Sequence, residues 1–252
     1  MSFAALDLTI VGPALLAGVL VLATHVPLGR EVLRRGIIFI DLAVAQMAGL
    51  GVIAAGTFGL ETHGVAAQVA AFAAALAGGL LLSWTDRRFG STQEAIIGVS
   101  FVLAATGGIL LLANNPHGGE ELRELLVGQI LWTDVHTLAP AAVLAVVVLG
   151  SWRIVLRTLG RPGFYLLFAV SVTASVQLVG IYLVFASLMV PALATRTLRA
   201  YALAAGYAVG LVGYVLGLVL STIFDWPTGA VIVWTLTLAA FAAWPVLGRW
   251  RA

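Results

Sequence analysis

The stretch Gln177-Leu-Val-Gly-Ile-Tyr-Leu-Val-Phe-Ala-Ser-Leu-Met-Val-Pro-Ala-Leu-Ala-Thr-Arg196 decides the fold class, because no charged side chain occurs from Pro162 to Thr195. A hydrocarbon core ~30 Å thick needs about 20 residues of helix to cross it. In lipid every peptide N–H and C=O must find its partner within the protein, so only helices and closed barrels span. The stretch lacks the apolar–polar alternation of a barrel strand. It is therefore helical, and Gly180 divides it into two short spans at 164–179 and 181–195.

Working outward, similar apolar segments lie at 9–28, 37–57, 64–84, 94–113, 137–156, 201–221 and 228–247. The expectation is an all-α polytopic membrane protein with eight to nine transmembrane helices, nine being preferred, in a single domain over 1–252. Composition agrees: 62% of the 252 residues are hydrophobic and 10% are charged. A soluble domain carries about 25% charged residues, so this chain has too few to cover a water-facing surface. Alanine and glycine are frequent within the spans, as expected where helices approach closely without a hydrophobic driving force between them. The first apolar segment follows Asp7 with no basic run before it, and reads as a span rather than a signal peptide.

There is no lysine, and all thirteen cationic side chains are arginine. With nine spans, Arg30, Arg34, Arg35, Arg87, Arg88, Arg153, Arg157, Arg161, Arg196, Arg199, Arg249 and Arg251 fall on one side, and Arg123 falls on the other. The positive-inside rule makes the arginine-rich side cytoplasmic, with the N-terminus outside and the C-terminus inside. No basic run interleaved with aromatics is present, so nucleic acid is not a partner. No cysteine is present either, which removes thiolate metal sites and cysteine nucleophiles.

The predicted outer face carries Asp7, Glu61, Glu120, Glu121, Glu124, Asp134 and Asp225, with His63, His117 and His136. His117, Glu120, Glu121 and His136 are candidates for outer-face cation capture, since an acidic mouth concentrates cations. The bland alternative is that outer loops are polar and poor in arginine for topological reasons. Within the spans, Asp41 stands in Gly36-Ile-Ile-Phe-Ile-Asp-Leu-Ala-Val-Ala-Gln-Met-Ala-Gly-Leu-Gly51. A charge at mid-bilayer costs about 2.5–3.5 kcal/mol on insertion scales. Asp41 is thus either an oxygen ligand on a cation path or, near the cytoplasmic end of its span, the partner of Arg34 or Arg35 or a cap for a neighbouring helix. Ala45 and Gly49 share its helical face, whereas Gln46 lies about 140° away. Ser91-Thr-Gln-Glu94 has capping-box form, with Glu94 expected to cap its own helix. His25 is expected to be a buried histidine with satisfied ring nitrogens.

Three stretches resemble the ABC-3 family, the permease subunits of bacterial ABC importers for zinc and manganese. The first is Leu28-Gly29-Arg30 through Gly51, similar to the family's arginine-containing turn and Asp-bearing second span. The second is Gln93-Glu-Ala-Ile-Ile-Gly98 together with Glu124-Leu-Leu-Val-Gly-Gln-Ile-Leu131. The third, and most specific, is the Gln177–Arg196 stretch, with its Gly180 and Pro191. Cobalamin and siderophore permeases carry a similar Gly-to-Pro segment, so the fold expectation is ABC-3/cobalamin-permease-like and the motif alone does not fix the cargo.

The resemblance implies a permease in the bacterial cytoplasmic membrane, acting as a homodimer whose translocation path lies between the copies. It also implies a cytoplasmic ABC ATPase subunit that binds the ATP, and an extracytoplasmic metal-binding protein. The chain itself binds no cofactor. Its cargo is a divalent ion, zinc first and manganese second, with Asp41 and Gln46 as metal ligands. Arg153, Arg157, Arg161, Arg196 and Arg199 are expected to couple to the ATPase.

The sequence departs from the family pattern twice. The usual histidine one turn after the aspartate is Ala45, and the cytoplasmic stretch before the signature span is only Trp152–Gly163. Loss of imidazole weakens the case for zinc, since oxygen ligands suit manganese better. The alternatives are a permease for a metal chelate or cobalamin-like cofactor, or a non-transporting membrane scaffold. No Gly-x-x-x-x-Gly-Lys-Ser/Thr loop and no His-Glu-x-x-His occurs, so the chain is expected to be a transporter subunit and not an enzyme.

The arginine asymmetry makes a direct topological prediction. Since no native cysteine interferes, Arg157→Cys should react with a membrane-impermeant thiol reagent only from the cytoplasmic side, and His117→Cys from outside intact cells. Labelling of position 157 from outside would reverse the orientation.

Overall fold

The computed structural model describes residues 8–61, 64–198 and 200–248. Ten α-helices follow one another: α1 Leu8–Arg35, α2 Ile40–Thr57, α3 Val65–Arg88, α4 Gln93–Leu112, α5 Gly118–Val127, α6 Val135–Leu159, α7 Arg161–Val179, α8 Ile181–Ala194, α9 Ala202–Phe224 and α10 Thr228–Gly248. Among the described residues seven helices are long and apolar enough to cross a membrane, and two more, Ile181–Ala194 and Thr228–Trp244, are apolar but shorter. These nine apolar helices fall on the nine apolar segments expected from sequence. The remaining helix, α5, lies in a stretch expected from sequence to be an outer loop. It is only ten residues long and carries Glu120, Glu121, Arg123 and Glu124, so it cannot be a span.

Contacts at helix ends define two faces. On one, the Arg35 guanidinium lies 4.1 Å from the centre of the Phe164 ring, and Arg161 reaches Asp86 at 3.6 Å. The Gln93 amide there donates to the Leu82 carbonyl at 2.9 Å. The C-terminal ends of α1 and α3 therefore meet the N-terminal ends of α4 and α7, and the arginines gather there. On the other face the Ser221 hydroxyl bonds Thr228 at 2.6 Å across the turn from α9 to α10. A capping box at Asp134 and Thr137 opens α6, with Thr137 N donating to Asp134 Oδ1 at 2.8 Å. α1 runs through Pro27 to Arg35, well past the predicted end at residue 28.

Between the faces the helices pack through small residues. A Cβ on Gly51 of α2 would sit 2.6 Å from the Ala70 carbonyl oxygen of α3, and one on Gly217 of α9 would sit 2.7 Å from the Ile232 Cα of α10. Lipid tails are as apolar as leucine, so close backbone approach and hydrogen bonds must supply the association energy. The bond between Ser187 of α8 and Tyr214 of α9, at 2.8 Å, is one such contact. His25 is fully buried in α1 with Nδ1 3.0 Å from the Val21 carbonyl oxygen. Its Nε2 has no partner, so only half of the expected satisfaction is met.

α8 has fourteen residues, a rise of ~21 Å at 1.5 Å per residue, too short for the full hydrocarbon core. Its start at Gly180 is met by the segment that follows α5. Gly180 and Gly128 both have positive φ, 80° and 68°, with ψ of 165° and 175°. That region of backbone space is essentially reserved for glycine. A Cβ on Gly180 would collide with Gly128 N, and a Cβ on Gly128 would collide with Gly180 N. A Cβ on Gly229, at the start of α10, would come 2.5 Å from the Val127 carbonyl oxygen. The two motif segments that lie far apart in sequence thus touch backbone to backbone, and Ile130, buried in the same segment, closes the gap beside α1 and α10.

Gly180→Ala adds backbone strain of about 1–3 kcal/mol as well as a collision that only separation of the two segments relieves. Thermal unfolding in detergent should show a marked loss of stability. The same change at Gly98, where a Cβ meets nothing within 4 Å, should be silent or slightly stabilising.

Candidate functional site

α1 ends in a tight turn, where Gly36 N–H bonds the Val32 carbonyl oxygen at 3.0 Å and φ is +71°. α2 begins four residues later, so Asp41 falls in its first turn, at the arginine-bearing face. Its side chain is 1% exposed, enclosed by the helices of this one chain. The N–H groups of Asp41 and Leu42 lie near the carboxylate, yet neither carboxyl oxygen completes a hydrogen bond.

The ion-pair alternative for Asp41 is not realised. Arg34 Nη2 donates to Glu31 Oε1 at 2.8 Å and Arg35 Nε donates to the same oxygen at 2.6 Å. Glu31 is one turn away on the same helix and takes both guanidinium groups, because residues three and four apart are neighbours on a helix surface. Asp41, beyond the turn at Gly36, is left without either.

Glu94 does something the sequence reading did not foresee. Gly90–Thr92 forms a 3₁₀ turn, and α4 starts without a side-chain cap, so the expected Ser91–Glu94 capping box is absent. Glu94 Oε1 instead accepts from the N–H of Phe39 at 3.1 Å and so caps α2 from a different helix. Its Oε2 is buried with no partner. Glu94 is also close enough to act electrostatically on Asp41. The only hint in the sequence was an acidic residue in a first turn, and that pattern equally describes an ordinary cap.

Ala45 and Gly49 continue the Asp41 face as expected, both buried. At its far end a Cβ on Gly49 would come 3.6 Å from Leu125 of α5, so the outer segment covers the top of this stripe. α2 is continuous from Ile40 to Thr57, and Gln46, although buried, therefore stays about 140° around the helix from Asp41. Among the described residues no group of three or more His, Cys, Asp or Glu side chains is placed to hold a metal ion.

The remaining candidates separate by face. Arg153 and Arg157 are exposed near the end of α6, and Arg161 is exposed at the start of α7. Arg196, just past α8, lies with its guanidinium 5.8 Å from the Trp244 ring centre. Arg199 lies outside the described residues. At the opposite face His117 precedes α5, with Nδ1 3.4 Å from Glu120 Oε2, and Glu121 accepts from Asn115 Nδ2 at 2.9 Å. The side chain of His136 lies outside the described residues, as do His63 and Asp7. Glu120, Glu124, Trp132 and Trp226 line an open groove of about 450 Å³ between the outer segment and the start of α10.

The sequence matches the ABC 3 transport family over residues 7–161 and 159–246. No curated protein sequence matches it. Among solved structures the chain is similar to PsaBC from Streptococcus pneumoniae in complex with Fab, at 19% identity over 92% of this chain and 90% of that one, with a TM-score of 0.71. It is also similar to a metal-chelate type ABC transporter in an inward-facing conformation, at 15% identity over 91% of this chain and 76% of that one, with a TM-score of 0.56. At these identities the likeness establishes the fold.

The isolation of Asp41 predicts how its removal is felt. Asp41→Asn takes away a buried charge that has no ionic partner, so thermal stability in detergent should hold or rise. A loss of about 3–5 kcal/mol, typical of breaking a buried ion pair, would show that Asp41 has a cationic partner.

Proposed function

The chain belongs to the ABC 3 transport family, and we propose on that basis that it is the membrane permease of an importer for a divalent transition-metal ion. It is a multi-pass integral membrane protein and a component of a membrane transporter. The observation that carries the cargo reading is Asp41, a carboxylate 1% exposed with both oxygens unpartnered. A buried charge of this kind needs a counter-charge, a proton or water, and a transported cation is a counter-charge that comes and goes.

In this reading 1–252 forms one permease domain, and two copies assemble with a cytoplasmic ATPase that binds the ATP. The chain has no lysine with which to build a phosphate-binding loop of its own. Arg153, Arg157, Arg161 and Arg196, exposed on the arginine-bearing face, present the surface to that ATPase. An extracytoplasmic binding protein delivers the ion to the opposite face, where His117, Glu120 and Glu121 stand at the start of α5. Oxygen is the donor type at Asp41, and no imidazole follows at position 45, which favours manganese over zinc.

The decisive test is reconstitution with the ATPase and the binding protein in proteoliposomes, measuring Mn²⁺ and Zn²⁺ uptake together with ATP hydrolysis. The wild type should show metal-stimulated hydrolysis, and Asp41→Asn should lower uptake at least about tenfold while its expression stays normal. Normal uptake by this variant would place the ion's site elsewhere.

A further inference from the structure

We propose that Glu94 completes the site at Asp41, so that the first turns of α2 and α4 together form one two-carboxylate site for a divalent cation. The inference rests on the metal-importer reading and adds a residue and a metal preference to it. Asp41 contributes two buried, unpartnered oxygens and Glu94 contributes a third, Oε2. The other Glu94 oxygen is fixed by the Phe39 N–H at 3.1 Å, two residues before Asp41, which anchors the carboxylate beside the start of α2.

Charge bookkeeping supports a cation. Two carboxylates carry two negative charges, and two helix N-termini supply about half a positive charge each. Roughly one negative charge remains in a site where neither Arg34 nor Arg35 is free, since both bind Glu31. Within the described residues, Glu94 is the charged side chain that acts electrostatically on Asp41. A divalent ion held by these oxygens, with water filling the remaining positions, is a hard-donor arrangement that suits Mn²⁺ better than Zn²⁺. The site lies at the arginine-bearing, cytoplasmic ends of the helices, where an imported ion leaves. It is also complete within one protomer, so a dimer holds two.

Glu94→Gln separates this role from capping. The amide oxygen of glutamine can still accept from Phe39 N–H, whereas the charge is gone. In the detergent-purified full chain, titrated with Mn²⁺ alone and followed by loss of the free-ion electron paramagnetic resonance signal, Glu94→Gln and Asp41→Asn should each weaken binding at least about tenfold. Glu94→Gln should melt as the wild type does, and Glu94→Ala, which loses the cap, should melt lower. Wild-type Mn²⁺ affinity in Glu94→Gln alongside impaired Asp41→Asn would overturn the role of Glu94 and leave the importer reading standing. Wild-type affinity in both would overturn the two together. Should Glu94→Gln not fold, the wild type still decides. Dicyclohexylcarbodiimide labels membrane-embedded carboxylates, and saturating Mn²⁺ should protect Glu94 and Asp41 alike. Protection of Asp41 with undiminished labelling of Glu94 would refute the shared site.

Discussion

In lipid a peptide group or charge has no water to fall back on, so each must be satisfied by the protein or carry a cost of several kcal/mol. Helices close their own backbone bonds, and nine apolar helices account for most of this chain on that ground alone. Where the chain turns between two apolar helices, the requirement becomes sharper. The break between α7 and α8 is such a place: Gly180 turns with φ +80° and is covered by Val127–Gly128 from the outer segment. Side chains larger than hydrogen would hold the two backbones apart and open the turn.

The same constraint organises the arginine-bearing end. Guanidinium groups and carboxylates there form a set of local solutions: Glu31 with Arg34 and Arg35, Arg161 with Asp86, Arg35 over Phe164. The Arg34–Glu31 and Arg161–Asp86 pairs involve well-exposed arginines and contribute little stability. None of these arginines pairs with Asp41. One Glu94 oxygen caps α2, whose first N–H groups need an acceptor, and the other has no hydrogen-bond partner among the described residues. The three carboxylate oxygens of Asp41 and Glu94 left without a hydrogen bond, in a low-dielectric setting, are what the proposed divalent-ion site offers.

The outer segment 118–132 links this inner site to the opposite face. Leu125 approaches the α2 stripe of Ala45 and Gly49, Gly128 locks on Gly180, and Val127 carries the contact to Gly229 on α10. α2, the signature span and the last helix therefore converge on one short segment whose own helix begins with His117, Glu120 and Glu121.

Sequence alone determined the helical membrane class and marked out the nine apolar segments that became helices, and it predicts a sidedness, because each rests on local quantities: run length, hydropathy and the distribution of arginine. It also singled out Asp41, since a carboxylate in the apolar segment 37–57 is conspicuous wherever it packs. Sequence could not choose between an ion pair and a ligand for Asp41, nor see that Glu94 caps α2 instead of its own helix. Those outcomes depend on which ends of α1, α2 and α4 meet, and a 55-residue separation between Phe39 and Glu94 leaves no periodic trace. The α5 segment was legible as a motif but not as a structure, because its polar face resembles any loop until Gly128 is seen against Gly180. Tertiary structure decided these points because satisfaction of a buried polar group is a property of neighbours in space, and neighbours across helices are set by packing rather than by spacing along the chain.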